Sequence, residues 1–295
     1  MGIQQAIQVL EEKRKKRLVL YYVLIALTFL ATVIVVIAML NGKGGGFTIP
    51  IILCSMVFLA MPILLKYMAW TKEYQAIYKN VFAREVIYEL IENAVYLPEQ
   101  GFSKEKVGNM GIIQLSNIFS SEDYLQGSYR GVDFELSDIL SRHETNHSRH
   151  NRYLFDGLIM QLTVPQQNTE AIQIYSKNFR YPASSRFPMK SVKSEDMEFN
   201  NMFDVKAQDQ QTVFQVLTPQ FMDSLKKLFA KYESIGLLIH ENTLHLALST
   251  NRDIFDGILA QEINYQREID RMRADVQSIK DVIDLLVFPS PDTIV

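Results

Sequence analysis

Two uncharged apolar runs stand near the N-terminus with only a short glycine-rich link between them, and no other feature restricts the fold so strongly. Leu18 to Leu40 (LVLYYVLIALTFLATVIVVIAML) is about 23 residues long, and about 20 are needed to cross hydrocarbon as a helix. Thr48 to Leu65 (TIPIILCSMVFLAMPILL) follows, with Lys66 placed to snorkel toward the headgroups. A signal peptide has a shorter apolar core and ends at a small-x-small cleavage site. Here the first run ends in Asn41-Gly42-Lys43-Gly44-Gly45-Gly46 and meets a second run at once. The expectation is a transmembrane helical hairpin over residues 18–70, with spans at 18–40 and 48–66. Pro50 falls in the first turn of the second span and Pro62 near its end, where proline is tolerated. The glycine-rich link suits a tight turn. A phosphate loop would have to follow a strand.

Orientation follows from the flanking cations. Lys13, Arg14, Lys15, Lys16 and Arg17 abut the first span, Lys66 and Lys72 follow the second, and the link carries only Lys43. The positive-inside rule then places both termini in the cytoplasm. Within the basic segment 1–17, Ile3, Ala6, Ile7, Val9 and Leu10 share roughly one helical face. This face could lie on the inner leaflet or be a plain helical flank of the span. Met1-Gly2 lacks the Ser or Thr that myristoylation wants, because Ala6 stands there. Lipid is therefore the expected partner. The net charge of −3, with both signs interleaved, argues against nucleic acid. The one cysteine, Cys54, excludes an internal disulfide and suits a reducing compartment.

Beyond the anchor, the composition is that of an ordinary globular domain of more than 200 residues, read as an α+β domain over 71–252 and a helical segment over 253–295. Trp70 to Glu92 carries Tyr74, Ile77, Tyr78, Val81, Phe82, Val86 and Leu90 at helical spacing, up to a break at Leu97-Pro98. Tyr124 to Tyr129, Arg130-Gly131 and Val132 to Leu136 read as a β-hairpin. Arg152–Val164 and Thr169–Ser176 read as strands, and 178–193 as a loop. Asp209 to Leu217 fits helix or strand. Thr218-Pro219 is a helix start, with Thr as N-cap and Pro at N1, and the helix that follows turns Phe221, Leu225, Leu228 and Phe229 inward. Ile235–His240, Glu241-Asn242 and Thr243–Ser249 read as a second hairpin, with His240 and His245 facing solvent. From Asp253 to Leu286 a helical repeat of Ile254, Ile258, Ile263, Ile269, Met272, Val276, Ile279, Ile283 and Leu286 either packs on its own domain or pairs with a second copy. The sheet is expected to be largely antiparallel.

Glu122-Asp123-Tyr124 with Gly127, Tyr129, Gly131-Val132 and Phe134-Glu135-Leu136-Ser137 resembles the centre of a bacterial membrane-anchored family of unknown function, sometimes mislabelled "galanin". Phe155-Asp156-Gly157-Leu158 is similar to that family's Phe-x-Gly-Leu strand. The segment Phe199 to Leu228 is similar to its most recognisable part, with Phe203-Asp204-Val205, Asp209-Gln210 and Leu217-Thr218-Pro219. Leu248 and Phe255 follow in the expected places. The resemblance covers roughly residues 71–260. It implies two N-terminal spans, a cytoplasmic domain and a bacterial inner membrane. It brings no catalytic residue or cofactor.

One motif suggests chemistry. His143-Glu144-Thr145-Asn146-His147 fits H-E-x-x-H, with His150 three residues on. On a helix, His143 and His147 would share a face and hold zinc, while Glu144 activated its water. The polar flanks Ser141-Arg142 and Ser148-Arg149 and the strands on either side favour a loop instead. No G-x-S-x-G, C-x-x-C or Walker lysine occurs. The leading expectation is a non-enzymatic interaction or scaffold module at the membrane, with no metal, cofactor or catalytic residue. The alternative is a membrane-anchored zinc-dependent hydrolase.

Overall fold

The computed structural model describes residues 3–40, 48–144, 152–182, 187–232, 234–250, 253–258 and 261–289, without side chains at 3–4, 38–40, 48–60, 62–63, 152 and 165–169. The chain forms two compact units. One holds the first 82 residues with Asp256–Glu268, the other Ala83–Phe255 with Ile269–Val295.

In the first unit, helix α1 (Ile3–Leu40) packs against α2 (Thr48–Tyr78). The glycine-rich link between them lies outside the described residues. Lys13 pairs with Glu73, and the Arg17 guanidinium lies 4.1 Å from the centre of the Tyr67 ring, so the helices run antiparallel. The basic segment is continuous with α1 and buries Ala6 and Leu10 within the protein. Its apolar face is thus not free to lie on a leaflet. Residues 256–268 pack into the same unit. Gln75 exchanges two hydrogen bonds with the Gly257 backbone at 2.7 and 3.1 Å, and Tyr78 donates to Glu268 at 2.6 Å. Among the described residues, one helix is long and apolar enough to cross a membrane, Gln5–Ile37 of α1. The second expected span forms the start of α2, where most side chains lie outside the described set.

The second unit is built on a seven-stranded antiparallel sheet. A π-helical turn at Lys79–Ala83 leads into α3 (Arg84–Leu90) and then β1 (Glu92–Leu97), where the sequence reading had continued a helix to Leu97. The β1 strand ENAVYL pairs with β2, a non-local contact that outweighs local helical spacing. After α4 (Lys104–Met110), β2 (Ile118–Tyr129) and β3 (Val132–His143) form the expected hairpin. Arg130 and Gly131 both have positive φ, 51° and 78°, as the right-handed twist of a two-residue turn requires.

The two strands expected at Arg152–Val164 and Thr169–Ser176 are one bent strand, β4 (Arg152–Ser176). Its first half pairs with β3 and its second with β6 (Phe203–Ala207), which pairs in turn with the short β5 (Lys190–Val192). Between these two strands, α5 (Met197–Met202) is capped by Asp196. The Asp209 carboxylate caps α6 (Gln210–Val216), which resolves that segment as helix. Thr218 accepts from the Phe221 amide at 3.2 Å and starts α7 (Pro219–Tyr232), which buries Phe221, Leu225 and Leu228.

The second expected hairpin is not one. The residues form a single strand, β7 (Ile235–Ser249), paired along both halves of β4. Glu241 has a φ of 56° and sits at a bulge rather than a turn. The polar Glu241-Asn242 pair looks like a loop locally, and only the matching length of β4 makes it a strand. Residues 253–258 and 261–264 are not helical. Helix α8 (Tyr265–Val287) starts later than expected. Its Met272, Val276, Ile279, Ile283 and Leu286 are buried within the chain, so that stripe is not a free surface for a second copy.

Register sorts the sheet into two faces. On one, cross-strand rows run Phe134–Leu162–Leu244 and Leu136–Met160–Leu246, with α8 residues Ile279 and Val282 near Leu158 of the next row. On the other, Ile139 and Ile159 join Phe102, Val107 and Met110 in a second core.

Candidate functional site

The third row of the α8-side face breaks the apolar pattern. It reads Asp138–Leu158–Leu248, so Asp138 occupies a place its strand otherwise fills with Phe134 and Leu136. Asp156 pairs with Leu140 on the same face, and Asp253 enters from the segment after β7. The three carboxylates each bring an oxygen within 4.8 Å of the others. Gly157, between Asp156 and Leu158, has a φ of 147°, and a Cβ there would lie 2.2 Å from the Leu248 carbonyl oxygen. Only glycine lets β4 and β7 come this close beside the carboxylates.

Burial and like charge act together on Asp138. It is 5% exposed, and its Oδ2 accepts from the Ile254 amide at 3.3 Å. Desolvation first, then the charge of Asp253, raises its pKa to about 7, and Asp123 and Glu122 add to the effect. Burial also raises that of Asp156. Asp123 reaches this region through an irregularity in β2, where it adopts a φ of 56°. It is fully buried and accepts from the Tyr96 hydroxyl at 2.5 Å, and the Tyr96 ring packs edge-on to Phe255 at 5.6 Å. An all-oxygen donor set of this kind suits a hard cation such as Ca²⁺ or Mg²⁺ better than zinc. In chemical terms, the group can hold a proton on Asp138 near neutral pH or share a cation.

Beside it lies a cleft of about 360 Å³ between α7, α8 and the sheet. Leu158, the cross-strand partner of Asp138, and Ile254, which follows Asp253, line it. The buried carboxylate of Asp275 lines the same cleft.

The opposite face carries a polar row, Gln126–Glu135–Gln161–His245. Lys106 of α4 donates to Glu135 at 2.6 Å, and Tyr124 donates to the same carboxylate at 2.9 Å. His245 is not the solvent-facing residue the sequence suggested. Its Nδ1 is buried without a hydrogen-bond partner among the described residues, and burial lowers its pKa to about 4, so the ring is neutral. The His240 ring packs tilted against Phe187, with ring centres 4.7 Å apart.

The H-E-x-x-H residues are not brought to either place. His143 ends β3, pairs with Arg152, and its Nδ1 lies 2.8 Å from the Ser116 hydroxyl. The Glu144 backbone amide donates to Asn117 at 3.1 Å. A strand end does not give the helical i, i+4 presentation the motif needs. His147 and His150 lie outside the described residues. The carboxylates that do converge were missed. The available signal was Asp138, which falls on the apolar phase of Val132, Phe134 and Leu136.

No curated protein matches the chain. Among solved structures, the crystal structure of the mycobacterial trehalose monomycolate transport factor A, TtfA, is similar over 71% of this chain and 96% of that one, at 10% identity and a TM-score of 0.37. Residues 153–287, from β4 through α8 and just under half of the chain, match the model of a family described as a protein of unknown function (DUF3137).

Proposed function

We propose that α1 and the first part of α2 cross a membrane as a hairpin, with both ends on the cytoplasmic side. They hold the α+β unit there as a non-enzymatic interaction module. One observation carries the reading. Along α1, Val19, Tyr22, Phe29 and Leu30 are 62%, 64%, 70% and 56% exposed, whereas Ala6 and Leu10 of the same helix are buried. A surface of this kind is stable only when lipid or protein covers it. The cation bias around the two apolar runs supports the orientation. The zinc-hydrolase alternative gains no specific observation, since His143 ends a strand and Glu144 follows it outside any helix.

A reporter fused after Val295 is expected to read as cytoplasmic, and one inserted at Gly45 as external. Release of the protein by alkaline carbonate would defeat the anchor. A C-terminal reporter that reads external would defeat the orientation.

A further inference from the structure

We propose that Arg17, resting on the Tyr67 ring, binds the phosphate of a phospholipid headgroup. The inference rests on the membrane reading of α1 and α2 and adds a particular ligand contact to it.

The basic segment ahead of the first apolar run is mostly paired. Lys13 pairs with Glu73, Lys16 lies 2.6 Å from Glu12, and Arg14 donates through Nε to Glu11 at 2.8 Å. Lys15 is exposed and lies 4.0 Å from Glu11. Arg17 differs from all four. It is 7% exposed, and among the described residues no carboxylate pairs with it. Its contact is the Tyr67 ring, whose centre lies 4.1 Å from the guanidinium carbon. A ring face attracts the charge but offers no oxygen to the N–H donors. Nη1 is enclosed without a hydrogen-bond partner among the described residues. The Nε–Nη2 edge is left for a ligand, and such an edge matches two phosphate oxygens as a fork. A buried cation without a counter-charge is unfavourable, and an anion that reaches it removes the cost.

The place of Arg17 on the helices selects the source of that anion. On α1, the strongly exposed apolar residues begin at Val19 and Tyr22, just beyond Arg17. On α2, which runs the other way, the exposed Leu64 and Leu65 come just before Tyr67. Arg17 and Tyr67 therefore stand at one level, where the apolar surface of both helices gives out. In a bilayer this is the level of the headgroups. The acyl chains of a lipid would lie along the exposed apolar residues while its phosphate met Arg17. Tyr21, with its ring centre 6.5 Å from that of Tyr67, adds a second amphipathic ring there. Lys66 and Lys72 are exposed and have no acidic partner among the described residues, which gives the surroundings the sign that attracts phosphate. Free inorganic phosphate would gain the same fork but nothing from the apolar surface.

The test is native mass spectrometry of the full chain released from a phosphate-free detergent, with dioleoyl phosphatidylglycerol, dioleoylglycerol and inorganic phosphate as probes. Retention of phosphatidylglycerol well above dioleoylglycerol is expected. Arg17→Gln should weaken that retention by about tenfold or more, as loss of charge-assisted hydrogen bonds does. Lys15→Gln removes an equal charge two residues away and should change it far less. If Arg17→Gln does not assemble, Tyr67→Leu removes the platform, keeps the charge and should also weaken retention. Arg17→Gln should resist alkaline carbonate as the parent does, because the hairpin does not need the site. A parent chain released by carbonate defeats the anchor and the site together. A parent that resists carbonate but retains both lipids equally overturns the site and leaves the anchor standing. The proposal is also overturned if Lys15→Gln costs as much as Arg17→Gln, or if inorganic phosphate alone is retained.

Discussion

The helical unit and the α+β unit treat a buried charge in opposite ways. In the helical unit Lys79 is 2% exposed and its ammonium lies 2.8 Å from Asp256, a carboxylate supplied by a distant part of the chain. In the α+β unit Asp138 is almost as buried, yet the groups that act on it are other carboxylates and one backbone amide. The first arrangement neutralises its charge by pairing. The second leaves protonation as the way to neutralise it, and so makes the charge depend on pH. Paired burial is an architectural device. Like-charge burial is unfavourable for folding, and natural proteins tolerate it where a site has another use.

The largest test of this contrast lies in the helical unit. Asp256→Ala removes the partner of a buried ammonium, a change that typically costs about 3–5 kcal/mol. Chemical denaturation of the full chain should show a loss of that order. A loss below about 1 kcal/mol would mean that another group or water takes over the pairing of Lys79.

Asp138→Asn should act the other way. The folded-state pKa of Asp138 is about 7, above the ordinary 3.8, so its carboxylate form is disfavoured by folding. The native chain therefore loses stability as pH rises from about 4 through about 7, and the full loss is present above that. At pH 8 the Asn variant should be more stable by on the order of 2–4 kcal/mol, while keeping an acceptor for the Ile254 amide. Below about pH 4 the two should converge. Equal pH profiles for variant and parent would show that Asp138 titrates normally.

The smallest effect is expected at His143, where no buried charge is at stake. His143→Ala removes one contact to Ser116 at an exposed strand end and should change stability by less than about 1 kcal/mol. A larger loss, restored by added zinc, would promote the hydrolase reading.

What was legible in the sequence was what short-range chemistry decides. Thr218-Pro219 announces α7 because a cap and a fixed φ act within one turn, and Arg130-Gly131 announces the β2–β3 turn for the same kind of reason. Strand β1 was hidden because Glu92–Leu97 follows a helix without a break, and only its pairing with β2 makes it extended. β7 was split because Glu241-Asn242 has turn chemistry, while the partner that straightens it lies far back in the chain. The carboxylate group was hidden for a related reason. Asp138, Asp156 and Asp253 come from separate segments, the first two united by strand register and the third brought in by the segment after β7. The histidine motif misled in the opposite sense, since its spacing is local but its helix is absent at His143 and Glu144.

The long pairing of β4 with β7 has a consequence for synthesis on the ribosome. Gly157 meets Ser249 and Tyr175 meets Gly236, so no hydrogen bond of this ladder can form until nearly the whole chain has been made. At about 5–20 residues per second, β4 waits for several seconds with one edge open after it emerges. An open strand edge is a template for wrong partners. A chain that stalls or is truncated before residue 235 would keep that edge permanently. Such fragments should aggregate or be degraded even though they contain α1 and the complete β2–β3 hairpin.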